Sequence, residues 1–228
     1  MLSKYEAIFF DVGGTLLRVE PSVGAVYASY ARPFGFKGSP EELDQLFQKE
    51  WINSGGIESL GKKSGKQAER NFWKNLVYRV FEHHGGLDNF DQYFEIIYEA
   101  FSRKEHWYIF EDVISSGVLE KLKKSGVVLG VVSNWDSRLH SILKSTDLQK
   151  YFDFILASAE VGSAKPDKKI FLEAIRKSGV DSTKICHIGD DFHADIQGAK
   201  GVGIDAILID RKNKNNYPAT VNSFRELL

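Results

Sequence analysis

The sequence predicts an α/β protein, a Rossmann-like parallel sheet core with an inserted α-helical cap. Three observations predict it. Short apolar runs suited to strands buried on both faces recur at residues 127–132, 154–156, 185–188 and 206–209. Amphipathic segments separate them, and alternating strand and helix implies a parallel sheet with crossover helices. A fifth run, Ala7-Ile-Phe-Phe, stands far upstream. It joins that sheet only if the helically patterned stretch between, residues 22–103, is an insertion.

Taken in order, Ala7-Ile-Phe-Phe-Asp11 ends on a carboxylate and meets Gly13-Gly14, a buried strand followed by a sharp turn. Ser39-Pro40-Glu41-Glu42 supplies an N-cap, a first-turn proline and a capping-box glutamate, and Leu43, Leu46 and Phe47 then share one face. Phe72, Leu76, Val77, Val80 and Phe81 recur at helical spacing, as do Phe90, Phe94, Ile97, Tyr98 and Phe101. Glycines at 55–56, 61–65 and 85–86 break the helices apart. Farther on, Leu139, Ile142 and Leu143 mark one crossover helix. Ile170, Phe171, Ala174 and Ile175 mark another, closed by Gly179. The expected division is an α/β core of residues 1–17 and 111–228 and a helical cap of residues 18–110.

Composition narrows the function. The 228 residues carry 30 Lys+Arg against 31 Asp+Glu, a net charge of −1, which excludes a basic nucleic-acid footprint and an acidic tail. No uncharged stretch approaches the roughly 20 apolar residues that a membrane span needs. Residues 1–11 carry Lys4 and Glu6 and lack a signal-peptide core. The single cysteine, Cys186, cannot form an internal disulfide and suits a reducing compartment. A cytoplasmic protein is expected, acting on a small molecule, with neither nucleic acid nor membrane as partner. No oligomeric state is legible.

Ligands of open parallel sheets bind beyond the carboxyl ends of the strands. There the sequence puts Asp11, Ser133-Asn134 and Gly189-Asp190-Asp191, with Lys165-Pro166 and Asp195 nearby. Carboxylates crowded into one crevice repel each other and call for a cation. Hard oxygen donors and few protein carboxylates point to Mg²⁺, which bridges readily to phosphate.

With these residues in view, the chain resembles the haloacid dehalogenase-like (HAD) hydrolase superfamily. Four motifs match in order: Asp11-Val-Gly-Gly-Thr-Leu16, Ser133-Asn134, Lys165-Pro166, and Gly189-Asp190-Asp191 with Asp195. The 133–139 and 15–18 segments further resemble the branch named HAD-like hydrolase domain-containing protein three. The resemblance implies a Mg²⁺-dependent phosphohydrolase acting on a small phosphorylated substrate. Asp11 would be the nucleophile that forms an aspartyl-phosphate, with Lys165 as its electrostatic partner. Asp11, Asp190 and the Gly13 carbonyl would hold Mg²⁺. Thr15, Ser133, Asn134 and Lys165 would serve the phosphate, and Asp191 and Asp195 would bind the metal's waters or orient Lys165. An even alternative for Asp191 is a helix cap.

One position departs from the family. The second aspartate, two residues after the nucleophile, is Gly13 here. Glycine still offers a carbonyl to the metal but gives no proton to a leaving alcohol. Positioned acid–base help is worth ~10²–10⁴-fold, so alkyl phosphates should react slowly, and aryl or acyl phosphates should suffer least. Two alternatives follow: a weakly active or inactive phosphate- or metal-binding protein, and a 2-haloacid dehalogenase. His193, Arg18 and Glu20 are remote candidates for the missing acid, and residues 107–110 for hinge or substrate contacts. His187 reads as structural, His83-His84 as a helix end, and Lys62, Lys63 and Lys66 as a solvated loop.

Overall fold

The computed structural model describes residues 2–61, 65–213 and 217–227, so Lys62 and Lys63 of the expected solvated loop lie outside the described residues. Strand β1 (Ala7–Phe10) pairs in parallel with β4 (Val128–Ser133) on one side and β6 (Ile185–Gly189) on the other. Beyond them lie β5 (Phe154–Ala157), β7 (Asp205–Ile209) and the short β8 (Thr220–Val221), in the order β5-β4-β1-β6-β7-β8. Side chains alternate across β1. Ile8 and Phe10 enter one apolar layer while Ala7 and Phe9 enter the other, so all four are fully buried.

Helices α1 (Val23–Ala31), α2 (Pro40–Ser54), α3 (Lys66–Glu82) and α4 (Phe90–Ala100) enclose a third apolar cluster of their own. Ser39 and Glu42 form the capping box at the start of α2. The sequence did not disclose the antiparallel ribbon that joins this helical segment to the sheet. It consists of β2 (Leu17–Val19) against β3 (Trp107–Ile109), and three residues are too few to show an alternation. β8 escaped for the same reason.

After the ribbon come α5 (Glu111–Ser115), α6 (Val118–Lys124), α7 (Leu139–Ser145), α8 (Ser158–Val161) and α9 (Lys168–Ser178). Asp167 caps α9 at its start and left-handed Gly179 closes it. Among the described residues, no helix is long and apolar enough to cross a membrane.

Candidate active site

The chain runs outward from β1 through β4 to β5, then returns to the opposite side of β1 as β6. That reversal opens a crevice at the carboxyl ends of the three central strands. Asp11, directly after β1, is 6% exposed. Its Oδ1 accepts from Ser133 Oγ at 2.8 Å and from Lys165 Nζ at 2.6 Å. The same ammonium donates to Asp195 Oδ1 at 2.5 Å. Asp195 also faces His187 Nε2 at 2.8 Å, and its Oδ2 accepts from the Asp191 amide at 3.0 Å. Both its oxygens are thus engaged, whereas no hydrogen bond among the described residues takes Asp11 Oδ2.

The turn after Asp11 fits against Asp190. Gly14 has φ +77°, and a Cβ there would fall 2.1 Å from Asp190 Oδ2, so conformation and space both demand glycine. Thr15 Oγ1 donates to Asp190 Oδ1 at 3.3 Å. The Thr15 carbonyl accepts from Arg211 Nη2 at 2.9 Å, and Arg211 Nη1 lies 2.8 Å from both oxygens of Asp112. This ion pair, invisible in the sequence, ties the turn to α5 and to the segment after β7.

One ammonium serves two buried carboxylates, and a third stands close by. Burial alone would favour a neutral Lys165 amine, but Asp11 and Asp195 outweigh it and hold the group charged. For Asp195, burial opposes ionisation, yet Lys165 and His187 keep its carboxyl well below the usual range. Asp11 fares worse: burial, and to a lesser degree the Asp195 charge, raise its carboxyl despite the help of Lys165 and Ser133. Asp190 opens to solvent on one side and is hemmed in by protein on the others. Burial first, then Asp11 and Asp195, push it up to about 7.

This excess of negative charge is what a divalent cation would relieve. Asp11, Asp190 and Asp195 each offer an oxygen, all within 4.8 Å of one another. Because both oxygens of Asp195 already accept hydrogen bonds, the donors that best fit a hard cation are the carboxylates of Asp11 and Asp190.

Of the residues singled out in the sequence, Asp11, Thr15, Ser133, Lys165, Asp190 and Asp195 meet in this crevice. Two others are occupied elsewhere. Asp191 caps the π-type turn Phe192–Gln197, accepting from the Ala194 amide at 2.7 Å, which is the capping alternative and not a contact to Lys165. Asn134 spends its side chain on the Lys165 backbone, accepting from its amide at 2.8 Å and donating to its carbonyl at 2.9 Å. That arrangement positions Lys165; the amide is not free for phosphate. His193 is exposed and bonds Gln197, and Arg18 pairs with Glu20 on the surface.

Contacts between the helical segment and the crevice were not foreseen. Glu69 on α3, 1% exposed, accepts from the Ser137 amide and hydroxyl. Trp73 Nε1 donates to the buried Asp136, which also grips Arg138. Glu58 accepts from Asn134 Nδ2 at 2.7 Å. Trp135 lies against Trp107, with ring centres 5.0 Å apart and planes inclined at 52°, and a Cβ at Gly13 would lie 3.3 Å from its Cζ3. An indole therefore borders the space a second aspartate would enter. No spacing rule announces such contacts, because they join segments far apart in the chain.

A family model described as haloacid dehalogenase-like hydrolase matches residues 8–209. The chain is 34% identical to haloacid dehalogenase-like hydrolase domain-containing protein 3 of Mus musculus, covering 88% of this chain and 80% of that protein. It is 30% identical to the rhythmically expressed gene 2 protein of Drosophila melanogaster, covering 93% and 85%. Among solved structures it is similar to a dehalogenase with an intermediate complex, at TM-score 0.76 and 21% identity over 100% of this chain and 97% of that one. It is also similar to a HAD phosphatase from Thermococcus onnurineus, at TM-score 0.64 and 26% identity over 97% and 95%.

Proposed function

The chain belongs to the haloacid dehalogenase-like hydrolase family, and from that premise we propose that it is a Mg²⁺-dependent phosphohydrolase of a small phosphorylated molecule. The observation that supports this most is the arrangement around Asp11. One oxygen is fixed by Ser133 and Lys165, the other takes no hydrogen bond among the described residues, and Asp190 stands beside it under electrostatic load. Displacement of a halide needs no metal, so a pair of crowded carboxylates that calls for a cation disfavours a dehalogenase.

In this reading Asp11 Oδ2 attacks phosphorus, and the bond to the leaving oxygen breaks with its electron pair. Lys165 balances the charge of Asp11 as the phosphoryl group arrives, and the Ser133 hydroxyl turns from Asp11 Oδ1 to donate to a phosphoryl oxygen. Asp11, Asp190 and the Gly13 carbonyl would hold Mg²⁺, which would supply neutralisation of phosphoryl charge. Gly13 has no proton to give, so the leaving oxygen takes one from water. Water then hydrolyses the aspartyl-phosphate, and that step also lacks a base at position 13.

Turnover of p-nitrophenyl phosphate and acetyl phosphate with Mg²⁺ and with EDTA tests the proposal. Mg²⁺-dependent phosphate release supports it. Gly13 gives a specific reason for a second reading, a protein of this fold that binds metal and phosphate without turnover; metal binding with no phosphate release selects that one. Halide release from 2-chloropropionate without metal selects a dehalogenase.

Two further results are expected. Gly13→Asp alone should gain little on alkyl phosphates, because its Cβ would press on Trp135. Combined with Trp135→Leu it should recover part of the ~10²–10⁴-fold that positioned acid–base help provides. An unchanged rate in the double variant would place the handicap elsewhere.

The second concerns pH. Asp190, raised from its ordinary 3.8 to about 7, keeps a proton in the folded chain that the unfolded chain has released. Through that group, the metal-free protein loses stability as pH rises across this interval. Mg²⁺ competes with that proton, so its stabilising effect on the melting temperature should be larger at pH 8 than at pH 6. Thermal melts at both values, with Mg²⁺ and with EDTA, check the sign.

A further inference from the structure

A cavity of about 290 Å³ lies between the helical segment and the crevice, close to the roughly 300 Å³ lower end of small-ligand sites. All four tryptophans of the chain, Trp51, Trp73, Trp107 and Trp135, line it. Among the described residues, the only charged side chain in its lining is Arg138. That guanidinium is already committed to Asp136 and to the Tyr98 carbonyl, and its carbon lies over the Tyr98 ring, 4.2 Å from the centre. The cavity therefore offers no unpaired cation for a second phosphate or a carboxylate, and little for a sugar's hydroxyls. It offers aromatic faces and edges.

Its position connects it to the chemistry. Asn134 and Trp135 belong to the lining and directly follow Ser133, whose hydroxyl donates to Asp11. Trp135 also borders Gly13, so one indole is wall to both the cavity and the nucleophile's turn. A ligand group in the cavity is thus next to the position where an acid for the leaving group is missing.

We propose that the cavity is the leaving-group subsite for an aryl phosphate, a phosphate monoester of a flat, uncharged aromatic alcohol. The inference rests on the phosphohydrolase reading and narrows it. Two independent features agree on the class. The lining suits an uncharged ring, and the glycine suits an oxygen that departs unprotonated, as a phenol-type oxygen with acidity near about 10 does more readily than an alkyl one. In the step, the phosphorus–aryl oxygen bond breaks as the Asp11–phosphorus bond forms. The phenolate leaves with the electron pair and takes a proton from water. A second water hydrolyses the aspartyl-phosphate, so an aryl phosphate and water become a phenol and inorganic phosphate.

The test combines binding with turnover. Binding of 2-naphthol is followed by calorimetry and by emission of the four tryptophans. kcat/KM is compared for 2-naphthyl phosphate, phenyl phosphate and glycerol 3-phosphate, with Mg²⁺. Expected are 2-naphthol binding with a change in emission and a naphthyl-over-phenyl preference of about tenfold or more, carried by KM. Glycerol 3-phosphate should be the poorest of the three. Val23→Trp and Val77→Trp, which fill the lining, should each bring the naphthyl-to-phenyl ratio toward one. Absence of 2-naphthol binding, or equal kcat/KM for naphthyl and phenyl esters, overturns the subsite while phosphate release keeps the phosphohydrolase reading. Binding of 2-naphthol with no phosphate released from any ester overturns that reading and this proposal with it. Both wild-type measurements decide the matter even if a filled variant fails to fold.

Discussion

Asp11→Asn is expected to lower Mg²⁺-dependent phosphate release from p-nitrophenyl phosphate by on the order of 10⁶-fold, to the background rate. Asparagine keeps the shape and still accepts from Ser133 and Lys165 through its amide oxygen, but the amide is no nucleophile. The same change removes one of the crowded charges. Because burial and Asp195 raise the Asp11 carboxyl, its ionisation costs the folded state free energy in the absence of metal. The melting temperature in EDTA should accordingly be at or above that of the wild type. An inactive variant that melts as high as wild type isolates chemistry from folding. Residual turnover above a few per cent would remove Asp11 from the nucleophile's role.

Lys165→Met carries the largest expected effect on stability. The side chain is 2% exposed and bridges Asp11 and Asp195, both buried. Methionine fills similar space and leaves two carboxylates without their shared cation. Removing one partner from a buried ionic cluster costs about 3–5 kcal/mol, which for a chain of this size lowers the melting temperature by roughly 6–20 °C. The sign of its pH dependence follows from Asp195. Its carboxyl is held below the ordinary 3.8 largely by Lys165, so that contribution is present above this value and is lost as pH falls below it. The deficit of the variant should therefore shrink in acid. Adding Asp11→Asn should restore part of the stability, since one fewer charge then lacks a partner. A loss below about 1 kcal/mol at neutral pH would mean that the ammonium does not hold the cluster together.

What could be read from the sequence depended on the range of the signal. β1, β4, β6 and β7 announced themselves because strands buried on both faces are continuous apolar runs. The caps at Ser39 and Gly179 announced themselves because capping is local chemistry. The site residues were legible as a set because each follows or flanks one of those elements. The β2–β3 ribbon was not, since Leu17–Val19 and Trp107–Ile109 are too short for any periodicity. Asn134 and Asp191 illustrate a second limit. Both stand in the expected motifs, yet one holds the Lys165 backbone and the other caps a turn. A motif gives the position of a polar group and not its partner. Glu69, Arg211 and the indole of Trp135 act across large sequence separations, where a single sequence has no pattern to offer.

The placement of β1 at the centre of the sheet has a consequence for how the chain reaches this state. Ala7 pairs with Val128 and with Ile185, so the strand that is synthesised before its neighbours acquires both of them late. Until then, four consecutive apolar residues with unpaired amides and carbonyls stay open to association with other chains. Closing such long loops must precede any reward from pairing, which slows assembly. Asp11 acquires Ser133 and Lys165 through the same closures, so the crevice is complete only in chains whose central strand is paired on both sides. Specific activity per molecule is then a gauge of fully assembled sheet.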